Sequence, residues 1–130
     1  MPIDRHPFVV PGAPPAIGPY VHAVASGGLL FCSGQIPLDP ESGELVGETP
    51  ADQARQCLEN LAVVAEGAGG RLADAVRCTV YLTDIGAFAE VGEVYASFFA
   101  DDPPARLALG VAALPKGAQV EIEAIVALPR

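Results

Sequence analysis

The stretch Gln119–Leu128 alternates. Val120, Ile122, Ala124, Val126 and Leu128 fall on one side, and Glu121 and Glu123 on the other. Successive strand residues point to opposite faces, so this pattern predicts a strand with one buried face. It constrains the fold more than any other segment, because a one-residue slip would drive two carboxylates into the core. Ala75–Thr83 alternates too, with Val76, Cys78, Val80 and Leu82 set against Arg77, Thr79, Tyr81 and Thr83. A sheet with two unlike faces follows.

The remaining elements are read around these two. Residues 1–19 are proline-rich and predict an extended arm. Val21–Ser26 and Leu29–Ser33 flank Gly27-Gly28, which suits a hairpin. Asp39-Pro40-Glu41-Ser42-Gly43 favours a turn, with a short return strand over Glu44–Val46. Thr49 as cap, Pro50 in the first helical position and Asp52 near the positive end announce a helix. Cys57, Leu58, Leu61, Val64, Ala65 and Ala68 give it one apolar face, and Gly67, Gly69 and Gly70 close it. Asp84 is placed to cap a second helix with Phe88, Val91, Tyr95, Phe98 and Phe99 on its buried side. Gly92 sits inside that helix at a cost of about 1 kcal/mol relative to alanine. Arg106–Ala113 predicts another strand, joined to the last by the turn Leu114-Pro115-Lys116-Gly117 and expected to lie beside it. The order predicts an α+β fold, a mixed sheet with two helices packed on one face.

At 130 residues the chain is expected to form one domain over residues 1–130. Its hydrophobic share of 51% against 18% charged residues is more than a lone small domain usually hides, and points to a subunit interface. Alanine richness accounts for part of it. A formal charge of −9 repels phosphate backbones, so nucleic acid is an unfavoured partner. The start MPIDRHPFVVPG has charges and prolines where a signal peptide needs an apolar core, and no apolar run reaches the length of a membrane span. The three cysteines lack metal-binding or redox spacing and read as buried free thiols in a reducing compartment. A cytoplasmic location without membrane attachment is the expectation. His6 and His22 are isolated, so no metal site is expected, and both are read as solvated. The Gly67–Gly70 cluster lacks the lysine and hydroxyl of a phosphate loop.

Pro104-Ala105-Arg106 and Val120-Glu121-Ile122-Glu123 carry the chemistry. A guanidinium can hold a substrate carboxylate with two parallel hydrogen bonds. A glutamate across the same opening can move protons to or from a bound water. On spacing alone such residues are more often a surface ion pair, which contributes little, than a catalytic pair. Ser33 and Tyr20, on residues alone, are a turn hydroxyl and an interface aromatic.

Further pieces join them: Ala16-Ile17-Gly18-Pro19-Tyr20, Ser33-Gly34-Gln35-Ile36-Pro37, Val80-Tyr81-Leu82-Thr83-Asp84 and Tyr95-Ala96-Ser97-Phe98-Phe99. Taken together, over nearly the whole chain, these resemble the Rid family of reactive-intermediate imine deaminases, also described as RidA/YjgF-like proteins and, for some members, as endoribonucleases. The resemblance implies a chorismate-mutase-like fold, assembled as a homotrimer with a site in each cleft between subunits. It implies hydrolytic deamination of 2-imino or enamine acids to 2-oxo acids and ammonia, without cofactor or metal. The implied roles fall on Arg106 for the substrate carboxylate and on Glu121 for the water, with Tyr20, Ser33 and Ala108 lining the cleft. Three positions depart from the deaminase pattern. Gly92 stands where an asparagine is common, and Ala108 where a cysteine is common; Leu107 also replaces a usually small residue. These departures leave open a ligand-binding or regulatory trimer with weak or no deaminase activity. An endoribonuclease is a further alternative, opposed by the acidic charge.

Overall fold

The computed structural model describes residues 2–130. Six strands form one mixed sheet: β1 (His6–Phe8), β2 (Ala23–Ser26), β3 (Leu29–Gln35), β4 (Ala75–Leu82), β5 (Ala105–Gly110) and β6 (Val120–Ala127), in the order β1-β2-β3-β6-β4-β5. Helices α1 (Pro50–Gly67) and α2 (Phe88–Phe98) pack together over one face. This is the expected α+β architecture. All pairings are antiparallel except β4 with β5, which are parallel and joined through α2. Parallel neighbours need such a crossover.

The alternating run at the C-terminal end organises the sheet. In β6, Val120, Ile122, Ala124 and Val126 are fully or almost fully buried, while Glu121, Glu123 and Ile125 turn to the uncovered face. The buried row meets Ala54, Cys57, Leu58, Leu61, Val64 and Ala65 of α1 in one core. Thr49 caps α1 as expected, its side chain accepting from Asp52 N–H, with Pro50 in the first turn. Gly69, at a φ of +90, turns the chain away after Ala68. Cys32, Cys57 and Cys78 are free and buried, as expected.

Several expectations are corrected. The Arg106 and Glu121 strands are not neighbours, because β4 lies between them. The turn-like sequence at 114–117 suggested a hairpin, but the α2 crossover places β5 on the far side of β4. Strand β5 also ends at Gly110 rather than Ala113. Val76 is exposed instead of buried, because a bulge between Ala75 and Arg77 breaks the alternation. Asp84 does cap, but it caps a 3-10 turn (Ile85–Ala87) through Gly86 N–H, and α2 begins at Phe88. Phe88 lies exposed at that start rather than in the core. The return strand at 44–46 shrinks to a single bridge, Leu45 with Leu38.

The N-terminal arm is more tightly held than its composition suggested. His6–Phe8 pairs with β2 as an edge strand. Val10 is buried against Gly67, where a Cβ would collide with the valine. His22 is buried at 3% exposure, not solvated. Its Nδ1 accepts from Val10 N–H at 2.8 Å and its Nε2 lies 2.7 Å from Pro14 O. The arm lacks a helix or long strand of its own, so its backbone groups need side-chain partners.

Asn60 does the same for the loop after β3. From inside α1, almost wholly buried, it donates to Leu38 O at 3.0 Å and Ile36 O at 3.4 Å, and accepts from Gln56 Nε2 at 2.9 Å. Truncation strands those carbonyls. Asn60→Ala is expected to lower the unfolding free energy by about 1–3 kcal/mol, read from urea denaturation. A variant as stable as the parent would mean that water replaces the amide at no cost.

Candidate active site

Glu121 sits on the uncovered face of β6, where β3 bulges. The register jumps between Cys32 and Gln35, so Ser33 and Gly34 bow out beside the glutamate. A Cβ at Gly34 would collide with Glu121 Oε2, so only glycine lets the carboxylate lie against the backbone there. Ile17, Tyr20, Ser33, Gly34, Ile36 and Pro115 line, with Glu121, an open cavity of about 310 Å³. Burial, with the Glu123 carboxylate as a second cause, holds the Glu121 carboxyl above its ordinary range. A carboxyl shifted that way keeps its proton to a higher pH than a free glutamate, and as a carboxylate it is the stronger base.

The two glutamates are not equivalent. Tyr81 Oη donates to Glu123 Oε1 at 3.1 Å. Burial, followed by that hydrogen bond, raises the Tyr81 hydroxyl above its usual range. Glu123 is thus tied down, while Glu121 alone of the pair lines the cavity.

The cavity's hydroxyls are already oriented. Ser33 Oγ donates to Val21 O at 2.6 Å, which commits its proton and leaves lone pairs for a donor. Tyr20 Oη accepts from Ile17 N–H at 3.3 Å, which leaves its own proton to donate. The pocket therefore offers one acceptor, one donor and one carboxyl of raised proton affinity, with apolar walls.

Arg106 lies elsewhere. It pairs in register with Cys78, whose side chain is in the core, so it stands on the helix-bearing face. Its Cζ is 4.9 Å from the Phe88 ring centre and 5.6 Å from that of Tyr95. Such stacking fixes the plane of the fork and leaves its N–H edge free. Arg106 makes no salt bridge among the described residues. Ala108 shares this face and lines a narrow crevice with Phe88, Gly92, Tyr95 and Arg106. A Cβ on Gly92 would meet nothing within 4 Å.

The sequence residues thus form two groups. Glu121, Tyr20 and Ser33 come together, as do Arg106 and Ala108, and the sheet separates the groups. Within one chain Arg106 and Glu121 do not share an opening. Sequence reasoning missed the parts played by Gly34, Ile17, Ile36 and Pro115. The glycine after Ser33, in mid-strand, was the available signal for a bulge.

Among the described residues the cysteines offer no competing nucleophile. The Cys32 thiol is pushed up to about 12, first by burial and then by Cys78, and burial raises Cys57 and Cys78 as well. A thiol so shifted is inert at neutral pH. Among the described residues, no group of three His, Cys, Asp or Glu side chains is placed to hold a metal ion. No helix among the described residues is long and apolar enough to cross a membrane.

Residues 11–128 match the family described as Endoribonuclease L-PSP. The chain belongs to this family, that of the Rid proteins. A RutC family protein of Sinorhizobium fredii is 49% identical over 122 residues, covering 94% of this chain and 97% of the relative. The human protein named 2-iminobutanoate/2-iminopropanoate deaminase is 46% identical over 113 residues, covering 87% of this chain and 82% of its own. Among solved structures, E. coli TdcF with bound serine superposes at a TM-score of 0.87 with 41% identity, covering 94% of this chain and 99% of that one. The expected family and fold are thereby established. A Rid-like hydrolase is the coarse functional class that these relatives support.

The upward shift of Glu121 has a sign. A carboxyl whose folded value lies above its unfolded one gains nothing in acid, where both states hold the proton. It destabilises the fold as pH rises from the unfolded value of about 4.5 through the folded one. Glu121→Gln removes the ionisation and nearly keeps the shape. Its melting temperature should exceed the parent's at pH 7, and the gain should vanish toward pH 4. A gain independent of pH would show that packing, not ionisation, is responsible.

Proposed function

We propose that this protein hydrolyses small 2-imino acids, or their enamine tautomers, to 2-oxo acids and ammonia. The reading rests above all on one observation: a free, stacked guanidinium and a partly buried carboxyl with a raised proton affinity occupy opposite faces of one sheet. A cleft that uses both is built from two copies, one presenting Arg106 and Ala108, the next presenting Glu121, Tyr20 and Ser33. The relatives named as imine deaminases and the serine-bound structure support an amino-acid-sized ligand. The uncovered sheet face supports the assembly, since it exposes Phe31 and Leu107 at 44% and 55%. A homotrimer in the cytoplasm is the proposed state.

The chemistry asks little of the protein beyond orientation. An imine carbon is already electrophilic. Arg106 would hold the substrate carboxylate with its planar fork. Glu121, protonated, would give its proton to the imine nitrogen and then, as the carboxylate, take one from water as the oxygen adds to C2. The resulting carbinolamine expels ammonia and leaves the 2-oxo acid. Ser33 Oγ would accept from the substrate N–H, and Tyr20 Oη would donate to the incoming oxygen.

RNA cleavage has the family description behind it. Against it stand the charge of −9 and a single lysine, Lys116. A ligand-binding role without turnover has Gly92 and Ala108 behind it, since neither offers a polar side chain beside Arg106.

Ammonia release from freshly generated 2-iminopropanoate and 2-iminobutanoate tests the reading. Arg106→Lys keeps the charge, loses the fork and should lose most activity. Glu121→Gln should lower kcat strongly, whereas Glu123→Gln should stay active. Mixing the inactive Arg106→Lys and Glu121→Gln proteins, unfolded and refolded together at equal amounts, should restore activity. Roughly a quarter of the clefts then receive both native side chains. An inactive parent overturns the deaminase assignment, and an inactive mixture overturns the two-copy site.

A further inference from the structure

We propose that His22 is a positioning residue for the Glu121 cavity, one that sets the hydroxyl of Tyr20 through the loop Pro14–Tyr20. The inference rests on the ligand-site reading above, since it takes the Glu121 cavity as the place where substrate binds.

The two ends of the His22 ring have partners of fixed character. Nδ1 faces Val10 N–H at 2.8 Å, and an amide can only donate. Nε2 faces Pro14 O at 2.7 Å, and a carbonyl can only accept. Both bonds are satisfied by one species, the neutral ring protonated at Nε2. The backbone of His22 is fixed as well, its N–H donating to Phe8 O and its carbonyl accepting from Ser33 N–H. Ser33 in turn donates its side-chain proton to Val21 O. One residue thereby ties the arm, the bulge of β3 and the far end of the loop to a single buried point.

The loop leaving Pro14 has few anchors of its own. Ile17 and Tyr20 are about half exposed, yet both line the cavity. Its internal bonds are Tyr20 N–H to Gly18 O at 2.9 Å and Ile17 N–H to Tyr20 Oη at 3.3 Å. The second bond occupies a lone pair of the phenol and so aims its proton away from Ile17. Where Pro14 sits therefore decides where Ile17 N–H sits, and that decides how Tyr20 presents its donor beside Glu121. His22 touches neither ligand nor Glu121; it acts through the loop.

The test is a double-mutant cycle read as affinity for 2-oxopropanoate, alongside thermal unfolding. The chains are the parent, His22→Leu, His22→Gln, Tyr20→Phe and the two His22 variants combined with Tyr20→Phe. Leucine strands Val10 N–H and Pro14 O, whereas the glutamine amide can still donate toward Pro14. His22→Leu should weaken affinity roughly ten-fold, the scale of one lost hydrogen bond, and His22→Gln should recover most of it. In the Tyr20→Phe background neither substitution should weaken binding further, although the loss of thermal stability should persist. Should His22→Leu fail to fold, the His22→Gln pair carries the cycle, and 15N spectra of the parent ring give an independent reading. Those spectra should show a bare Nδ1 and a protonated Nε2; the other tautomer overturns the proposal. Additive losses from His22 and Tyr20, or undiminished affinity in a folded His22→Leu protein, overturn it while leaving the site reading intact. A Tyr20→Phe protein that binds as the parent does overturns the site reading and the proposal with it.

Discussion

Burial of one side of β6 beneath α1 governs everything else in this molecule. Val120, Ile122, Ala124 and Val126 are held at 0–2% exposure, which fixes the strand's register against both β3 and β4. Once that row is inside, Glu121 and Glu123 have nowhere to go but the uncovered face. Their difference then arises from their neighbours. Glu123 finds Tyr81, whereas Glu121 meets the bowed backbone of Ser33 and Gly34. The two carboxyls differ here because the partner strand is irregular at one place.

The helix pattern, the caps and the alternating strands could be read from residues because each is a local rule. Thr49, Pro50 and Asp52 act within one turn, and the period of two in β6 needs no knowledge of its neighbours. Strand order was not legible in that way. Residues 104–123 read as two strands and a turn, and nothing local reveals that β4 slips between them. The information lies in the helix that carries the chain across from β4 to β5. His22 was misread for a related reason. Its partners, Val10 and Pro14, contribute backbone groups, and backbone groups leave no mark in a sequence. The candidate residues Arg106, Glu121, Tyr20, Ser33 and Ala108 could be named from the sequence, but their division between two faces followed only from the topology.

That division gives the proposed site a physical logic. Glu121 acquires its raised proton affinity within its own chain, from burial and from Glu123. Arg106 by contrast stands exposed on two aromatic rings, where a guanidinium's attraction for a carboxylate is weakened by water. Covering it with the next copy's Glu121 face would remove that water and strengthen the grip on the substrate. The same approach brings two like-charged carboxylates, from substrate and from Glu121, into one small space, which favours the protonated form of Glu121. Assembly and proton supply thus reinforce one another on the two-copy reading.

The space beside Arg106 completes the argument. Gly92 and Ala108 leave the crevice next to the guanidinium without a polar side chain, and a Cβ on Gly92 would touch nothing. A helix-interior glycine carries a cost, about 1 kcal/mol against alanine, and packing does not require it at this position. The groups that could orient the reacting nitrogen and oxygen are then concentrated on the Glu121 half, in Ser33 as acceptor and Tyr20 as donor. On the proposed reading the Arg106 half would contribute a carboxylate anchor and room. In such an arrangement, discrimination among substrates falls to the volume left by Gly92, and reactivity to the geometry of the loop that carries Tyr20.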